Sequence, residues 1–257
     1  MSWTRNLSHL QSEERLEAGY VIILPGIEGR SIYNRQVARG LAAGDVPYAI
    51  EINDWTRRIL GMPRFFYNLR SRRLHEEQAT AIAAKITDYQ RKYPHRPVDL
   101  IGHSGGGGMT ALVAEALPRE SSISGIVMLG AALSPHYRLG PALRHIDRKI
   151  WSFSSVGDFF FLGAFTAVCG TIDGRHLCSA GMVGFRCHEL EDEEREKFEE
   201  IPYRAEFLRD QHFAGHFGCT SSYFVKRWVA PLLTTCTTPS EAIIDELSGS
   251  FRKAPVI

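Results

Sequence analysis

Short apolar runs alternate with longer amphipathic stretches along the chain, and this alternation predicts strand–helix–strand units built around a buried sheet. The run YVIILPG at 20–26 reads as a first strand, because successive apolar residues suit burial on both faces. A helix is expected near 31–41 and a second strand near 46–53. Ala79, Ile82, Ala83, Ile86 and Tyr93 recur at helical spacing, predicting a long helix over 74–93 that Pro94 and Pro97 close. VDLIG at 98–102 reads as a third strand, and Met109, Leu112, Val113, Ala116 and Leu117 mark an amphipathic helix directly after it. Two further buried strands are predicted at 124–132 and 149–157, with a weaker one inside 202–210. A closing helix begins near Thr220 and carries Phe224, Val225, Trp228 and Val229 up to Pro231. After it, Thr238-Pro239-Ser240-Glu241 has the form of a capping box opening a short tail helix. The expected fold class is α/β: a mostly parallel sheet with helices on both faces, in one domain over 1–257.

Composition narrows the function classes. With 44% hydrophobic and 23% charged residues, the chain is ordinary globular material rather than disordered or collagen-like. Thirty basic side chains against 29 acidic ones leave a net charge of +1, so nucleic acid has no global electrostatic reason to bind. The most apolar stretches, 159–168 and 125–133, fall short of the roughly 18 residues of a membrane-spanning helix. No stable membrane insertion is expected. Arg5, Glu13 and Glu14 interrupt the N-terminal segment, which has no continuous apolar stretch of a secretory signal, so a cytoplasmic location is expected. The five cysteines, Cys169, Cys178, Cys187, Cys219 and Cys236, are then expected as reduced thiols. The first three lie near His176 and His188 but fit no C-x2-C spacing, and no metal is expected. The run 189–200 holds eight acidic residues in twelve and reads as a solvated face; Arg64, Arg70, Arg72 and Arg73 around Phe65, Phe66 and Tyr67 read as a solvated face too, with contact to an anionic head group at the mouth of a site as the alternative.

The chemistry concentrates after the third strand, where Gly102-His103-Ser104-Gly105-Gly106 stands at a strand-to-helix turn. A nucleophilic serine must project its Oγ from a tight turn, which leaves no room for side chains two positions before and after it. Gly102 and Gly106 supply that room. Four successive glycines, Gly105 to Gly108, are costly in a helix, at about 1 kcal/mol each relative to alanine, and imply a close backbone approach. A Walker A loop fails because Met109 stands where the phosphate-binding lysine belongs. A dinucleotide fingerprint forced through Gly106, Gly108 and Ala111 lacks the acidic strand end about twenty positions on.

At these residues the chain resembles the α/β-hydrolase superfamily, in its serine esterase and lipase-like branch, over about 20–235. The resemblance implies a nucleophile, an acid and a histidine in that chain order. Ser104 takes the first place and Asp158, at the end of KIWSFSSVGD, the second, with Asp173 in reserve; Asp147 precedes its strand. His216, in Ala214-Gly215-His216-Phe217-Gly218, takes the third, with His212 as the alternative and His103 as a structural neighbour. The oxyanion donors implied are the N–H groups of Gly105 and Ile27, although Pro25-Gly26 stands where many relatives have His-Gly. Phe159 and Phe160, with Phe161, Leu162 and Phe165, are candidates to line an apolar substrate pocket or to be core, and 159–201 is the place for a lid or small cap. The implied activity is hydrolysis of a partly apolar carboxylic ester through an acyl-enzyme, with no cofactor and a small-molecule ester as partner. Thioester, amide or carbon–carbon cleavage uses the same triad, and a non-catalytic binding protein or receptor on the same scaffold is the competing reading.

Overall fold

In the computed structural model, residues 7–57, 61 and 63–234 are described. Six strands form one sheet: β1 (Tyr20–Leu24), β2 (Ala49–Ile52), β3 (Val98–His103), β4 (Ile123–Leu129), β5 (Ile146–Ser154) and β6 (Phe198–Pro202). Every neighbouring pair is parallel, in the order β2-β1-β3-β4-β5-β6. Side chains alternate across a strand, so β1 feeds both faces at once: Tyr20, Ile22 and Leu24 enter one core, Val21 and Ile23 the other. The first core is covered by α3 (Arg72–Lys92) and α4 (Gly105–Glu115), the second by α1 (Ile32–Ala43) and a closing helical run from Ser222 to Thr234. Helix α2 (Pro63–Arg70) follows β2 in the chain and places Leu69 in the first core.

The order of the sheet reverses at β1, because the chain crosses from β2 back over β1 to build β3 on its other side. Loops leaving the C-terminal ends of β1 and β3 therefore diverge, and the crevice between them is where open parallel sheets bind ligands. Both motif-bearing loops of the sequence leave from these two strands.

One expectation changes. The last strand is β6, at Phe198–Pro202, and not within 202–210, where Ala205–Asp210 forms a 3-10 helix. Its acidic residues belong to an edge strand, which tolerates charge because one rim is not paired: Glu199 meets Lys149 of β5 at 3.2 Å. The tail helix expected at 238–241 lies outside the described residues. Among the described residues no helix is long and apolar enough to cross a membrane, and no group of three or more His, Cys, Asp or Glu side chains is placed to hold a metal.

Candidate active site

Ser104 sits between β3 and α4 with φ +55° and ψ −120°, a conformation that costs a non-glycine residue about 1–3 kcal/mol. The turn is held from both sides: the Ser104 N–H donates to the Leu129 carbonyl at 3.0 Å, and its own carbonyl accepts from Gly107 at 2.9 Å and Ala132 at 3.0 Å. The glycines two positions either side are sterically required. A Cβ on Gly102 would lie 2.2 Å from the Gly106 carbonyl oxygen, and one on Gly106 would lie 2.1 Å from that of Leu24. The last two glycines of the run answer to packing, since a Cβ on Gly107 would meet Ala131 at 2.9 Å and one on Gly108 would meet Ile172 at 3.1 Å.

His216 and Asp158 converge from separate loops. Nδ1 of His216 is 2.5 Å from Oδ2 of Asp158, and both side chains are buried. A carboxylate only accepts, so this bond places the proton on Nδ1 and leaves Nε2 as a free base. Asp158 is fixed in turn by the Leu162 N–H, 3.4 Å from its Oδ1. The His216 loop is fastened to the strand ends: Ser155 Oγ donates to the Ala214 carbonyl at 2.6 Å, and Phe161 stacks on the His216 ring at 4.7 Å. His103 does more than fill space. Its Nε2 lies 3.0 Å from the His216 carbonyl and must carry the proton, which leaves Nδ1 buried without a partner. Burial drives its pKa down to about 3, so this ring beside His216 stays neutral.

Ile27 and Gly105 face each other. A Cβ on Gly105 would lie 3.5 Å from the Ile27 nitrogen, and among the described residues neither N–H donates to a backbone carbonyl. The first N–H groups of a helix have no internal acceptor, so Gly105 at the head of α4 presents its donor outward.

Ser104, His216 and Ile27 open onto one cavity of about 500 Å³. Its walls are mostly aromatic: Tyr33 and Phe217, stacked at 3.9 Å, then Phe65 and Phe66 of α2, and Phe160, Phe161 and Phe165 after Asp158. Phe160 borders the cavity as expected from the sequence and Phe159 does not, although both rings are largely exposed, at 70% and 66%. Glu28, Phe65, Phe66 and Phe217 were not legible as site residues. Phe65 and Phe66 sit in an arginine-rich helix that reads as surface, and only the packing of α2 against the crevice turns them inward.

The alternative residues go elsewhere. Asp173 accepts from the Ser134 N–H at 2.9 Å and lines a separate cavity with Arg72 and His75. Asp147 lies at the opposite end of the sheet, beside Pro97 and Ile123. His212 is a core residue, stacked on Phe207 at 5.8 Å and edge-on to Phe224. Burial lowers its pKa from 6.5 to about 4, so the unfolded chain takes up the proton first. Its contribution to stability is therefore complete above about pH 6.5 and is lost as pH falls toward 4. In urea unfolding, the stability advantage of wild type over His212→Leu is expected to shrink across that window by on the order of 3 kcal/mol. A pH-independent difference would contradict a buried, neutral His212.

No family model matches this sequence, and neither does any curated protein. Solved structures do. A structure called m3DLH superposes with a TM-score of 0.50 at 19% identity, covering 85% of this chain and 88% of its own. The fold is the α/β-hydrolase fold. An esterase domain from a Rhodothermus marinus protein gives a TM-score of 0.45 at 16% identity, covering 84% of this chain and 86% of that one. A dienelactone hydrolase-like promiscuous phosphotriesterase from metagenomic libraries, P91, gives 0.44 at 18% identity, covering 72% and 69%. Within the α/β-hydrolase fold, Ser104 occupies the turn after the central strand, and Asp158 and His216 stand in loops at the same end of the sheet.

Proposed function

We propose that this chain is a serine hydrolase that cleaves a carboxylic ester with a partly apolar acyl or alcohol part. The reading rests on one juxtaposition: a histidine bonded through Nδ1 to a buried carboxylate shares a cavity with a serine on a positive-φ turn. Nε2 of His216 takes the proton from Ser104 Oγ as that oxygen attacks the ester carbonyl, and Asp158 holds the tautomer and stabilises the imidazolium. The Ile27 and Gly105 N–H groups receive the developing oxyanion. The imidazolium then protonates the departing alkoxide, giving the alcohol and an acyl-Ser104. Water, deprotonated by the same nitrogen, attacks the acyl carbon and releases the acid. An apolar cavity strengthens each of these interactions by excluding water.

A fluorophosphonate probe tests the nucleophile. Intact-mass and peptide analysis is expected to find one adduct, on the peptide that carries Ser104, and none in Ser104→Ala. A folded wild type that takes up no probe and hydrolyses no p-nitrophenyl ester of any acyl length is instead a binding protein. Asp158→Asn, which leaves the shape of the site but permits the wrong tautomer, is expected to lower turnover by on the order of ten-thousandfold. Turnover within tenfold of wild type would remove Asp158 from the triad.

A further inference from the structure

The cavity wall carries one acidic side chain, and the proposed esterase mechanism gives it nothing to do. Glu28 follows Ile27 on the loop after β1 and lines the cavity together with Ser104 and His216. Its carboxyl folds back over its own loop, with Oε2 2.2 Å from where a Cβ on Gly26 would lie. Ser31 Oγ donates to Oε1 over 3.3 Å. Among the described residues no lysine or arginine pairs with Glu28, and none lines the cavity. Burial raises its pKa. Half-buried without a side-chain counter-ion, its ionised form is disfavoured unless a cation from outside pairs with it.

The remaining wall is suited to that cation. Seven phenylalanine and tyrosine rings line the same cavity as Glu28. Ring faces attract a weakly hydrated ammonium, whose methyl groups also suit an apolar wall. A strongly hydrated primary ammonium would lose more on leaving water, and an anionic group would meet Glu28 with the same sign of charge.

We infer that Glu28 determines specificity, and that together with the aromatic wall it binds a quaternary or alkylated ammonium group carried by the ester substrate. This assignment deepens the esterase reading and rests on it. Two isosteric esters isolate the charge: butyrylcholine and 3,3-dimethylbutyl butyrate differ in one atom, nitrogen against carbon, and in one unit of charge. The ratio of their kcat/KM values cancels the folded fraction of each preparation. In wild type the ratio is expected to favour the cationic ester by about tenfold, and in Glu28→Gln to fall toward one. A wild-type ratio near one, or a ratio that Glu28→Gln leaves unchanged, overturns the proposal while the esterase reading stands. If folded wild type hydrolyses neither of these esters nor any p-nitrophenyl ester, the esterase reading fails by itself. Calorimetric titration with choline and with 3,3-dimethylbutan-1-ol then decides the cation site: tighter binding of choline in wild type alone supports it, and equal binding of the two overturns it.

Discussion

Ser104→Ala is expected to lower kcat/KM for p-nitrophenyl butyrate by on the order of ten-thousand- to million-fold, or roughly 5 to 8 kcal/mol of transition-state stabilisation. The size follows from what is lost. Without Oγ no acyl-enzyme forms, and water must attack the ester directly, with only the oxyanion donors and the cavity to assist it. His216→Ala is expected to cost a similar amount, because a hydroxyl with no adjacent base is a weak nucleophile at neutral pH. The double variant should then be no slower than either single one, since the two side chains act as a unit. Steady-state rates on purified, folded protein check all three. Retention of more than a tenth of wild-type activity in Ser104→Ala would place the chemistry elsewhere. Additive losses in the double variant would mean that His216 acts independently of Ser104.

Gly106→Ala is expected to destabilise the protein by at least about 3 kcal/mol or to prevent folding. The added methyl carbon would lie 2.1 Å from the Leu24 carbonyl oxygen and 2.4 Å from that of Pro25. Both oxygens belong to backbone at the end of β1, which is paired on both sides, by β2 and β3, and has no rotamer into which to retreat. Relief requires α4 to move off the sheet, which would carry the Ser104 turn and the Gly105 N–H away from Ile27. Gly102→Ala meets the same obstacle from the other side, 2.2 Å from the Gly106 carbonyl oxygen. Gly215→Ala is the control, because nothing lies within 4 Å of a Cβ there, and its unfolding free energy is expected within about 0.5 kcal/mol of wild type. Equal stability of Gly106→Ala and Gly215→Ala in chemical denaturation would show that the turn at Ser104 is not sterically confined.

What the sequence by itself determined is local. Apolar runs of strand length, the helical spacing of Ala79, Ile82, Ala83 and Ile86, and glycines two positions from Ser104 follow from sterics and burial within a few residues of each position. The alternation of elements then admits few arrangements besides a parallel sheet covered on both faces. Acidic composition misled the reading of 198–202, because an edge strand tolerates charge that a central one would not.

Only the tertiary structure decided which distant side chains meet. His212 and His216 are four positions apart in one loop, and the sequence cannot distinguish a ring packed on Phe207 from one bonded to Asp158. The three phenylalanines after Asp158 form a π-helical turn, which is wider than an α-helix, so ordinary helical spacing does not tell which rings enter the cavity. Phe160 and Phe161 do, and Phe159 does not. Glu28 reads as a loop carboxylate, and it becomes part of a site only because α2, Tyr33 and Phe217 line the same cavity. Local patterns encode which elements form, through interactions spanning a few residues. The site forms where loops from different strands converge, and that convergence is a property of the packed sheet.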